Sequence, residues 1–286
     1  MAAIVTKLIP PKAPNLPIGP VEYEQRYQDQ FSNVLRLYFN QLDNVLQTLL
    51  GSGEGGGRFI RFPYGGFEDT AYTTLTVAVN GSATVLTVTS TTGFPTTGQI
   101  KVESEIITYT GITATTFTGC TRGARGTTAA AHAVGVYVTK VQAPGANTAA
   151  PMYFNTTDYS NDITLVSTTQ MKAANAGLYN LQWSAQFNNT DTALQDVSVW
   201  LRVNGTDVVG STGFVSIPST HGGVDGHTIA GWNFFVQLNT NDYVEIWWST
   251  TSQKVTIDCY PPSTGPTRPS TASVVATLSF VSALAA

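Results

Sequence analysis

One stretch of this chain has helical periodicity, and the glycine-rich segment that ends it separates it from a chain of a different period. In residues 21–50 (VEYEQRYQDQFSNVLRLYFNQLDNVLQTLL) the side chains Phe31, Leu35, Tyr38, Leu42, Val45 and Leu49 recur at steps of four and three, the alternation of a coiled-coil seam. A second set, Val34, Leu37, Phe39, Leu46 and Leu50, widens the apolar face, so the helix is expected to be covered all round. Barely three heptads do not hold chains together alone. The cover comes from the chain's own β domain, from two further copies in a three-helix bundle, or from a platform on which the helix sits. Gly51 stops the helix, and GSGEGGG (51–57) opens a flexible linker taken to run to residue 75. Ahead of the helix, residues 1–20 hold Pro10, Pro11, Pro14, Pro17 and Pro20. Proline at that density fixes φ and removes donors, which predicts an extended arm. Such an arm is either a disordered terminus or a lace onto a neighbouring subunit.

Beyond residue 75 the apolar period falls to two. The runs TVLTV (84–88), GQIKVES (98–104), EIITYTG (105–111) and GVYVTKV (135–141) predict a small β module over 76–142. Residues 150–286 predict a larger β domain, with NAGLYNLQWSAQFNN (175–189), a hairpin turning at Asn204 and Gly205, and AGWNFFVQLNTNDYVEIWWST (230–250) turning at NTND. Composition narrows the rest. Of 286 residues, 42% are hydrophobic and 11% charged, which excludes a mainly disordered chain. A net charge of −4 argues against a phosphate-binding surface, so no nucleic-acid partner is expected. Two cysteines, Cys120 and Cys259, make neither a disulfide framework nor a zinc spacing. The opening MAAIVTKLIPPKAP does not read as a signal peptide. The apolar tail ASVVATLSFVSALAA (272–286) is too short to span a bilayer and is expected as a buried strand. The expectation is a soluble protein made in a reducing cytoplasm, without membrane insertion.

The small module carries a resemblance. GFP at 93–95, EIITYTG at 105–111, TGCTRGARGT at 118–127 and AAAHAVG at 129–135 together resemble a module of about 60 residues that recurs in tailed-phage tail, fibre and other virion proteins. The helix string RYQDQFSNVLRLYFNQLDN is similar to the N-terminal segment of phage structural proteins. In the larger domain, the order GLYxLxWS, VxLxVNG, a long FxVQL strand, DYVEIxW and a last apolar strand resembles the trimeric C1q/tumour-necrosis-factor-like jelly-roll head. That resemblance implies three heads packed around aromatic residues, with Phe235, Trp248, Val275 and Phe280 as candidates for the threefold axis. The same aromatics would equally fill the core of a monomeric sandwich.

Chemistry is sparse. No nucleophile elbow, HExxH, Walker A or GxGxxG follows a predicted strand. His221, Asp225 and His227 fall in one loop (216–227, SIPSTHGGVDGH). A metal site needs three or four converging ligands, so an exposed polar tip is expected there and no metal or other cofactor is assigned. Arg122 and Arg125 in RGARG are expected in a solvated turn, the alternative being a salt bridge to a neighbouring subunit. Trp232, Trp247 and Tyr260 are expected near the surface, where they would stack on sugar rings or pack on the next subunit.

These readings converge on a mainly β, homotrimeric, non-enzymatic structural protein of a phage virion, assembled in the host cytoplasm. Its arm and helix would bind other virion proteins, and its head would face outward, towards a host surface glycan if it touches one. A tail or neck fibre comes first and a capsid-decoration protein second. A secreted or surface glycan-binding module and a glycan-cleaving enzyme are the other classes.

Overall fold

The computed structural model of the protein describes residues 14–16, 18, 21–50 and 62–284, with backbone only for 47–50. It divides into two bodies, Met1–Arg61 and Phe62–Ala286. In the first, α1 (Gln25–Leu50) is the helix that the three–four periodicity predicts, beginning four residues later than expected. The described arm residues 14–16 and 18 have no regular structure. The rest of the proline-rich arm, and the GSGEGGG joint, lie outside the described residues.

The second body is mainly β and its strands pair antiparallel. Its strands in chain order are β1 (Tyr64–Asp69), β2 (Tyr72–Thr74), β3 (Val85–Thr87), β4 (Gly98–Val102), β5 (Glu105–Tyr109), β6 (Thr116–Thr118), β7 (Thr121–Ala124) and β8 (Tyr137–Gln142). There follow β9 (Thr156–Asn161), β10 (Ile163–Val166), β11 (Gln170–Ala173), β12 (Gly177–Asn189) and β13 (Gln195–Val203). The last are β14 (Gly213–Ile217), β15 (Gly226–Leu238), β16 (Tyr243–Thr250), β17 (Val255–Asp258) and β18 (Val274–Ser282), with short two-residue strands between.

A large sheet runs β9-β1-β18-β12, with β15 on the free side of β12. A second sheet runs β10-β11-β16-β13, with β14 beside β13. Alternate residues of both sheets share one apolar core that includes Phe67, Tyr179, Phe187, Leu201, Ile246, Trp248 and Leu278. The period-two pattern of the sequence is this alternation. Two turns follow their local chemistry: Asn204 and Gly205 both have positive φ, at 49° and 79°, as a type I′ hairpin requires. The apolar tail forms β18, a central strand whose Val274, Ala276 and Leu278 are buried.

The domain boundaries differ from those expected. Residues 64–69 are not linker but β1, paired with β9 on one side and β18 on the other. The two glycines of YGGFED are there for space. A Cβ on Gly66 would sit 2.5 Å from the Tyr159 ring, and one on Gly65 2.6 Å from the Phe67 ring. The small module therefore does not precede the sandwich; it is inserted into it, leaving after β1 and returning before β9. It has its own core around Leu86, Ile100, Ile107, Tyr109, Phe117 and Val138. β8 of the module continues the large sheet through β17, with Ile257 opposite Gln142 and Asp258 opposite Val141. At the roots of the insertion, buried Asp69 accepts hydrogen bonds from Lys140, from Gln142 at 2.7 Å and from Ser273 at 2.8 Å. Three segments distant in sequence meet on one carboxylate, whose burial is offset by those donors.

Candidate functional site

On α1, Phe31, Leu35, Tyr38, Leu42 and Val45 are all half-buried and fall on one seam, together with Val34. The Leu49 and Leu50 side chains lie outside the described residues. Leu37, Phe39 and Leu46 on α1 are exposed.

The four candidates for a head axis separate by strand parity. Trp248 is 0% exposed and lies in the core, edge-on to Phe187 at 5.5 Å, so it has no surface to offer another chain. Its neighbour Trp247 points outward instead, with the Arg202 guanidinium 3.7 Å above its ring. Phe280 is partly buried, stacked on Phe62 at 5.7 Å and edge-on to Tyr179. Phe235 (63% exposed) and Val275 (40%) do face outward. They belong to the outer face of the large sheet, where β12 contributes Asn180, Gln182, Ser184 and Gln186. β15 adds Ile229, Asn233, Phe235 and Gln237, and β18 adds Val275, Thr277 and Ser279. Across these three neighbouring strands the face carries no Asp, Glu, Lys or Arg. Glu68 on β1 borders it, opposite Val275, its pKa raised by burial and then by Asp158 and Asp69. The side-chain oxygen of Asn180 is buried with no hydrogen-bond partner.

The loop expected as a free tip is only partly free. His221 and Val224 close a tight turn by bonding to each other in both directions, with Gly222 and Gly223 at positive φ. That turn is exposed, but its base is tied down. Asp225 accepts from Lys101 of the module at 3.1 Å, and Lys101 also reaches Asp258 at 3.0 Å. His227 Nδ1 meets the Tyr260 hydroxyl at 3.1 Å. Burial acts to lower the Lys101 pKa, but Asp258 and Asp225 outweigh it, so the ammonium is held charged. Burial first, then Asp258 and Asp225, push the Tyr260 pKa up, so its hydroxyl keeps its proton. These groups line a cleft of about 650 Å³ between module and sandwich. Trp232 is half-buried as well, against Trp183 at 4.8 Å.

The two arginines are neither solvated nor held for a neighbour. Arg122 grips buried Glu105 with two parallel bonds, Nε to Oε1 at 2.9 Å and Nη2 to Oε2 at 2.7 Å. Glu105 also accepts from the backbone N–H of Gly123 and Ala130 and meets His132 Nε2 at 2.7 Å, while His132 Nδ1 meets Glu103 at 2.7 Å. Burial alone would raise the Glu105 pKa; the bonds from Arg122, His132, Gly123 and Ala130 outweigh it and hold the carboxyl at about 2. Arg125 ties Gln99 and the carbonyls of Ala143 and Pro144. The strings EIITYTG, TGCTRGARGT and AAAHAVG thus contribute Glu105, Arg122 and His132 to one buried network. Sequence reasoning singled out these strings as a pattern and missed the network, because its members come from three separate turns and strands. Both cysteines are free and buried, and burial pushes each thiol up to about 11.

Among the described residues no three or more His, Cys, Asp and Glu side chains converge as a metal site requires. Among them, too, no helix is long and apolar enough to cross a membrane. No protein-family model matches the chain, and no curated protein matches it.

Proposed function

We propose that this chain is a non-enzymatic structural protein of a tailed-phage particle that works as a homotrimer, its arm and helix attaching it and its C-terminal sandwich presented outward as a tail or neck fibre. The observation that carries the trimer is the outer face of β12, β15 and β18, which holds no Asp, Glu, Lys or Arg. Interface centres are depleted of charge and enriched in aromatic residues, and this face combines Phe235, Ile229 and Val275 with uncharged amides and hydroxyls. On this reading Phe235 and Val275 stand near the threefold axis. The exposed apolar side chains Leu37 and Phe39 on α1 favour the same conclusion.

The strand order supports a jelly roll of the C1q/tumour-necrosis-factor-like kind. Numbering β1, β11, β12, β13, β14, β15, β16 and β18 as first to eighth, one sheet pairs first with eighth, eighth with third and third with sixth. The other pairs second with seventh, seventh with fourth and fourth with fifth. That is the wrapping of a long antiparallel ribbon into two sheets. Support for a virion comes from the module, whose resemblance-bearing residues have a common physical task in the Glu105 network.

Sedimentation equilibrium of the full chain tests the trimer. Three times the 30.5 kDa chain mass is expected, with Phe235→Lys returning the protein to single chains of unchanged circular dichroism; a wild-type monomer overturns it. Antibody labelling of purified virions is expected at the tail or neck. Labelling of the capsid shell would make the protein a decoration protein, and absence from the particle would overturn the virion reading.

A further inference from the structure

The cleft between the inserted module and the sandwich has the composition of a ligand site rather than of a packing defect. Its walls include Tyr137 and Val136 from the module and Tyr260 and Pro261 from the sandwich, and Tyr137 leaves much of its ring in solvent. Its charged lining is Lys101 against Asp225, Asp258 and Glu103, three carboxylates to one ammonium. Lys101 has three N–H donors, and Asp225 and Asp258 take two of them. Beside the cleft lies Asn188, fully buried with neither amide atom hydrogen-bonded. The register sets Asn188 directly opposite His227 on one side and Thr256 on the other, and residues directly opposite share a face of the sheet. His227 lines the cleft, as does Asp258, two residues along from Thr256.

That composition selects among ligands. An anion would meet an excess of carboxylates, and a purely apolar guest would strip water from four charged groups without replacing it. An uncharged polyhydroxylated ring satisfies both walls. Its hydroxyls donate to Asp225 and Glu103 and accept from the third Lys101 N–H, while its C–H face lies on a tyrosine ring. We infer that this cleft binds an uncharged saccharide, with Tyr137 as the stacking surface and Asp225, Glu103 and Lys101 as the hydroxyl partners. That the saccharide comes from a host surface rests on the function proposed above; the site itself does not.

The test is binding of the full chain to an array of neutral hexose and N-acetylhexosamine oligosaccharides, with uronic-acid, sulfated and free-amine oligosaccharides alongside, followed by titration of the best neutral one. A neutral oligosaccharide is expected to bind, with Tyr137→Ala weakening it about tenfold and Asp225→Asn several-fold, both variants keeping the wild-type circular dichroism and thermal midpoint. Should Tyr137→Ala disturb the fold, Asp225→Asn and protection of the Tyr137 and Tyr260 resonances on titration carry the test. Retention of charged oligosaccharides alone, of none, or of a neutral one that both variants bind as well as wild type overturns the inference. An empty array with a trimer found in virions removes the saccharide site and leaves the virion reading standing. A positive array with no protein in virions does the reverse.

Discussion

The inserted module and the sandwich keep their shapes by different means. The sandwich core is a cluster of 26 buried apolar side chains, and the module's is one of 13. The module also holds a buried Arg–carboxylate pair: Glu105 is gripped by Arg122, with His132 on its other side. The sandwich places an Arg–carboxylate pair too, but at its rim. Arg202 and Asp207 have 24% and 59% of their side-chain surface exposed, against 6% and 1% for Arg122 and Glu105. The difference teaches that the same pair of residue types is a structural member in one place and a surface ornament in the other. Burial decides which, because an ion withdrawn from water must be matched by its partners.

Breaking the buried side of that comparison should have the largest effect. Arg122→Ala leaves Glu105 without its two-pronged partner, and removing one member of a buried pair costs about 3–5 kcal/mol. Urea unfolding of the full chain checks this, with a loss under about 1 kcal/mol counting against the network as a structural element. Arg122→Lys should restore only part, since an ammonium does not reproduce the paired guanidinium bonds.

A smaller effect sharpens the same point through pH. Glu105 titrates at about 2 in the fold against its ordinary 4.5. A carboxyl with a depressed folded pKa contributes stability that is complete above 4.5 and lost as pH falls towards 2. Stability followed between pH 6 and 2 should therefore fall more steeply in the wild type than in Glu105→Gln, and equal slopes would remove Glu105 from the account.

What was legible in the sequence was local. The Asn204 and Gly205 hairpin, the helix, the β period and the terminal strand each follow from residues within a few positions of one another. The insertion was not legible, because β1 joins the sandwich by pairing Tyr64 with Ser279, and the Gly65 and Gly66 that accommodate aromatic rings read as linker. Parity was not legible either. Trp247 and Trp248, like Phe234 and Phe235, put an aromatic on both faces of one strand, and nothing in the sequence says which face is the core. Of the arginines of RGARG, Arg125 sits in a turn as expected and Arg122 on β7 instead; each would be solvated only if no distant group met it, and Glu105 meets Arg122 while Gln99 meets Arg125. The cleft was missed for the same reason: Lys101, Asp225 and Asp258 lie far apart in sequence and meet only because the module returns beside β17.

The exposed side of the comparison should give the smallest effect. Asp207 accepts from Arg202 and from the Trp200 indole N–H at 2.7 Å, and these bonds, Arg202 first, lower its pKa. Counted by contacts, it resembles Glu105. Water, however, can take the place of either donor at a carboxylate so open, and salt screens what remains. Asp207→Ala should leave the urea midpoint where it is. What it should change is local: Arg202 loses one of its two restraints, keeping only the face of Trp247, so tryptophan emission shifts while unfolding does not. A clear loss of stability in Asp207→Ala would mean that this rim is buried in the working protein, and would place a neighbouring chain on the outer face of the second sheet rather than on the outer face of β12, β15 and β18 in the first.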